Sequence, residues 1–98
     1  MAETPMPVLM LPEEIIGMKQ AEYLTGRDAR TLRKWCVRNA IGHQMQANSP
    51  WVICGPALVL LMHGDLAGLQ AMRLGDRDDS RVRRAIDHLH LVLPRCAA

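Results

Sequence analysis

Phenylalanine is absent from the 98-residue chain, and one Tyr and two Trp bring the aromatic share to only 3%. The core must therefore be assembled from Leu, Val, Ile, Ala and seven Met, with Trp35 and Trp51 expected to carry much of it. Three cysteines, an odd number, argue against a disulfide framework and for a reducing cytoplasm. Long hydrophobic runs are also missing. The MPVLMLP stretch contains two prolines and no basic leader, and the apolar residues 56–63 stop at Gly64-Asp65, so neither fits a signal peptide or a membrane span.

Reactive constellations are lacking too. There is no CxxC or HExxH, and Cys36, Cys54, Cys96, His43, His63, His88 and His90 make no close ligand pair. His88 and His90 stand two apart on a predicted helix and face different directions. No paired carboxylates, glycine-rich phosphate loop or Cys-His spacing supports a reaction, and Asp78-Asp79 beside Ser80 reads as a helix cap. The expectation is a protein with no catalytic step, no metal and no cofactor.

Charge is present but unevenly placed. The net value is only +2, yet residues 1–18 carry three acids and no Lys or Arg, and residues 39–63 carry no formal charge. Residues 19–38 hold six Lys or Arg against Glu22 and Asp28, and residues 64–98 return to six Arg against five Asp. A partner approaching residues 19–38 meets a cationic field that the net charge conceals.

With Pro5, Pro7 and Pro12, residues 1–13 read as a flexible N-terminal arm, mobile at its start. Ile15 and Ile16 are expected to tuck under a first helix over about 18–24, with Gly17 at its N-cap and Gly26 ending the turn after it. Asp28 is a good N-cap for a second helix running to about Arg38, with Asn39 suited to the left-handed residue beyond. Leu32, Trp35 and Cys36 are expected to face the first helix. From Gly42 to Ile53 the pattern becomes a short β-hairpin turning at Ala47-Asn48-Ser49-Pro50. Gly55-Pro56 restarts a helix, ALVLLMHG, and LAGLQAMRL follows, with Gly64-Asp65 either a break or a weak point. Residues 80–93 place Val82, Ile86, Leu89 and Leu93 on one amphipathic stripe.

Helix, turn, basic helix, hairpin, helix, carried by QAEYLTG, DARTLRKW and the hairpin end Trp51-Val52-Ile53, resembles the MerR-like and excisionase-like winged helix-turn-helix domains over about residues 14–63. The resemblance implies a mainly α fold with a short β-hairpin, in which residues 64–98 form a C-terminal helical extension that packs on the domain or dimerises. In that family the second helix enters the major groove and the hairpin wing touches the backbone or minor groove.

Carried onto this chain, Arg30, Thr31 and Lys34 are expected near bases, and Arg27, Arg33 and Arg38 mainly on phosphates. In the wing, His43 is placed near DNA, while Gln44, Gln46, Asn48 and Ser49 can hydrogen-bond phosphate without neutralising it. The chain departs from the family at Arg27, where a small apolar residue is usual and where Arg must snorkel out or meet an acid, and at the neutral wing tip.

The implied function is sequence-specific binding of double-stranded DNA by a cytoplasmic, prokaryotic or phage-encoded protein. It would be a small transcription regulator or an excisionase-type recombination directionality factor, acting as a homodimer or cooperative array with a recombinase or RNA polymerase as partner. The alternative is a protein-interaction module, such as a phage or antitoxin-type regulator, that keeps the winged fold without binding DNA. Its warrant is the small net charge, the uncharged wing and the apolar C-terminal helices.

Overall fold

Six consecutive residues, Gly55 to Leu60, are buried, because this stretch is apolar on every side. A helix of that kind is stable only when other elements surround it. A computed structural model describes residues 5–93 and shows that arrangement. In chain order, a short 3-10 turn (Pro12–Glu14) leads into β1 (Ile15–Ile16), α1 (Met18–Thr25), α2 (Ala29–Asn39), β2 (Gly42–Gln44), β3 (Trp51–Cys54), α3 (Gly55–Met62), α4 (Leu66–Arg73) and α5 (Ser80–Val92). The fold is mainly helical with one small sheet, and α3 is the shared centre, packed by α1, α4, α5 and β3.

The sheet is antiparallel in the order β1-β3-β2. Ile15 pairs with Cys54 and Ile16 with Ile53, so the two isoleucines form a third strand instead of merely tucking under α1. Ile16 faces the core and Ile15 lies at the surface, as strand alternation requires. Across the hairpin, Gly42, His43 and Gln44 pair with Ile53, Val52 and Trp51.

Local signals account for most boundaries. Gly26 ends α1 in the left-handed region, at φ 71°, and its amide closes on the Glu22 carbonyl. Asp28, Asp65 and Asp79 each cap the next helix, accepting from the amides of Thr31, Gly68 and Arg81 respectively. Gly64, at φ 72°, makes the Gly64-Asp65 step a true break. The left-handed residue after α2 is Ala40, not Asn39; Asn39 stays in the helix and its side-chain amide donates to the Trp35 carbonyl at 3.0 Å.

Two expectations change. Trp35 and Trp51 are only half-buried at its margin, and the fully buried large side chains are aliphatic: Ile16, Leu32, Ile41, Ile53, Leu58 and Leu89 among them. The expected flexible arm over 1–13 is anchored from Val8, which is buried and donates its amide to the Ala40 carbonyl at 3.1 Å; the expectation for the start of the arm, residues 1–4, lies outside the described residues. Residues 64–93 pack on the rest of the chain, with Leu69, Met72, Val82, Ala85 and Leu89 in the same core cluster as Leu32 and Ile53.

A buried ion pair ties these parts together. Glu14 is 3% exposed and takes Arg77 in a two-point grip, at 2.6 Å from Nε and 2.7 Å from a terminal nitrogen. Glu14 also accepts the Leu11 amide, and Arg77 also donates to the Leu9 carbonyl, so the pair is well satisfied.

Candidate nucleic-acid interface

Helix α2 is divided cleanly along its length. Leu32 and Cys36 are fully buried, whereas Arg30, Arg33, Lys34, Val37 and Arg38, at offsets of three, four, seven and eight, form an exposed outer face. Among the described residues, none of the four cations on that face makes an ion pair or side-chain hydrogen bond with the rest of the protein. The ion pairs present are Arg77 with Glu14 and Arg81 with Asp65. The face is a cluster of unpaired charge on a rigid element.

Arg27, in the turn before α2, is exposed and meets no acid among the described residues. Its guanidinium lies over the Trp35 ring, 5.8 Å from the centroid, while its amide donates to the Thr25 hydroxyl at 3.1 Å. Trp35, half-buried and packed against the core, also offers its ring to one more cation beside the α2 face. Thr31 is half-buried, and its hydrogen bonding to Asp28 holds the Asp28 carboxyl below its ordinary 3.8. That keeps Asp28 ionised at the positive end of α2.

The hairpin residues do not form one surface. His43 and Gln44 are both exposed but alternate along β2, so they address opposite faces of the sheet. The Gln44 side-chain amide donates to the Ser49 carbonyl at 2.8 Å, and the Ser49 amide donates to the Gln46 carbonyl at 3.0 Å, closing the turn one residue earlier than expected. Gln46 and Asn48 remain exposed at the tip, Asn48 at φ 72°. The hairpin joins α2 through Ile41, whose amide donates to the Cys36 carbonyl at 3.1 Å.

One residue with a bearing on this surface escaped the sequence reading. Arg73 of α4 donates to the Asn39 carbonyl at 2.8 Å, fastening the C-terminal end of α2 from 34 residues away. No local spacing announces such a contact.

Burial pushes the Cys36 thiol up to about 11 and that of Cys54 to about 12, which removes both from thiolate chemistry. Among the described residues there is no group of three or more His, Cys, Asp or Glu able to hold a metal, and no helix long and apolar enough to cross a membrane. No protein-family model, curated protein or solved structure matches the chain.

Proposed function

We propose that the chain is a double-stranded DNA-binding protein of the winged helix-turn-helix type, with α2 as the helix entering the major groove. The observation that carries this reading is the outer face of α2, where Arg30, Arg33, Lys34 and Arg38 stand exposed and unpaired with Arg27 held beside them. A cationic helix face whose inner side is locked by Leu32 and Cys36 suits a groove about as wide as one helix. Arg30 and Lys34, mid-face, address base edges together with the half-buried Thr31, and Arg27, Arg33 and Arg38 address phosphates. The wing contributes through Gln46 and Asn48, since Gln44 is occupied within the hairpin.

The protein would work without a catalytic step, as a transcription regulator or an excisionase-type factor, in two or more copies on DNA. A recombinase or RNA polymerase would act beside it. The three phosphate contacts of Arg27, Arg33 and Arg38 give a slope of log affinity against log salt of roughly −2.7 for each copy bound. The test is a salt series on a duplex from the region upstream of its own gene and on a scrambled duplex. Steep dependence with preference for the native duplex supports the reading, and no binding at low salt overturns it.

A second reading is favoured by one feature. An apolar groove of about 680 Å³ runs beside α2, lined by Val8, Leu9, Ile15, Val37 and Val52, with Val37 66% exposed. A protein-interaction module would use that groove. Reversing Arg30 and Lys34 to Glu separates the two: it abolishes function under DNA binding and leaves it intact under protein binding.

A further inference from the structure

A second groove, between α3, α4 and α5, is lined by residues that the DNA reading leaves unused. Its volume is about 580 Å³, within the range of small-molecule sites. Leu66, 65% exposed, and the exposed Ala67 supply its apolar surface, over the buried Val59, Leu60 and Ala85. Arg81, Arg84 and His88, at offsets of three and seven along α5, line one side, and His63 and Asp65 line the other.

The charges there do not cancel. Asp65 accepts from the Gly68 amide at 2.9 Å and from Arg81 at 2.8 Å, and these contacts hold its carboxyl below its ordinary 3.8. Arg81 is thereby neutralised. Arg84, one turn along, has no carboxylate at ion-pair distance among the described residues. Asp65 also acts on Arg84 at longer range, and Asp65, Arg81 and Arg84 together leave the groove one net positive charge.

The imidazoles add a polar feature. His63 Nδ1 lies 2.8 Å from the Val59 carbonyl oxygen, which can only accept, so Nδ1 carries the proton and Nε2 of the neutral ring keeps a lone pair. His88 stands edge-on to it, with centroids 5.6 Å apart. Two imidazoles beside an unpaired guanidinium are a poor cation site, since the guanidinium repels the metal.

We propose that this groove binds a small monocarboxylate with an aromatic or other apolar body. The carboxylate pairs with Arg84, the body lies against Leu66 and Ala67, and a ligand hydroxyl or amine donates to His63 Nε2. One net positive charge matches a monoanion better than a phosphate dianion. The inference is independent of the DNA reading.

The test is an NMR titration of the full-length labelled protein with 4-hydroxybenzoate, with 4-hydroxybenzyl alcohol as the neutral analogue and inorganic phosphate as competitor. The expected result is saturable shifts at His63, Ala85 and His88 with a dissociation constant on the order of 1 mM. Arg84→Ala should weaken binding about tenfold or more while keeping the native thermal transition, and Arg83→Ala, on an exposed residue outside the groove, should leave it unchanged. Absence of saturable shifts, equal binding of the neutral alcohol, displacement by equimolar phosphate, or equal loss in both variants would overturn the proposal.

Discussion

Glu14 and Arg77 show how much a single pair can hold. Glu14 has its side chain 4% exposed and Arg77 23%, and together they join the N-terminal segment to the turn before α5. Glu14→Ala leaves a guanidinium partly buried without its partner, and should cost about 2 to 3 kcal/mol, less than for a fully buried pair because Arg77 keeps some water. Chemical denaturation of the variant measures this. Replacing both residues, as Glu14→Leu with Arg77→Met, should recover part of the loss, since no charge is then stranded. The cysteines permit a second check. With Cys96 replaced by Ser, iodoacetamide at mildly alkaline pH should alkylate the folded chain at least about a hundredfold more slowly than the denatured chain, because burial keeps Cys36 and Cys54 protonated and covered. Mass spectrometry reads the rate, and labelling as fast as in denaturant would contradict the buried placement.

Between elements, α5 approaches the start of α3 closely. A Cβ placed on Gly55 would stand 2.6 Å from Leu89 Cδ2 and 3.2 Å from the Glu14 carbonyl oxygen, one of which is backbone and cannot yield. Gly55→Ala is therefore expected to cost about 1 to 3 kcal/mol, seen as a lowered melting temperature. Pairing it with Leu89→Ala should lose less than the sum of the two single changes, because the second removes the main clash. The helices themselves were largely legible from local chemistry, since Asp28, Asp65 and Asp79 cap, Gly26 and Gly64 terminate, and the α2 apolar positions repeat at helical spacing. β1 was not, because two isoleucines carry no alternation and become a strand only through β3. Ala40 was missed for a similar reason: its left-handed φ of 55° is imposed by the Cys36 carbonyl and by the chain's entry into β2.

For the whole molecule, the decisive feature is that one core spans both halves. Leu58, Val59 and Leu60 of α3 belong to the same cluster as Leu69, Val82 and Leu89, so residues 1–63 alone would expose them. That fragment should lack the single cooperative unfolding transition of the full chain, measurable by circular dichroism on heating. A fragment that melts cooperatively would show that α4 and α5 are dispensable. At this scale the candidate interface depends on the C-terminal part as well, since Arg73 fastens the end of α2 that bears Arg38.

What the sequence by itself determined is local: where helices start and stop, which α2 positions are apolar, and that cations gather over residues 19–38. These follow from capping, helical period and charge order, all of which act over a few residues. Only the tertiary structure decided that Trp35 supports Arg27, that Gln44 is spent within the hairpin, and that Glu14 meets Arg77 across 63 residues. It also decided that His63, Arg81, Arg84 and His88 share a groove. Such contacts depend on how helices stack around α3, and the packing of a shared core is a property of all its residues at once.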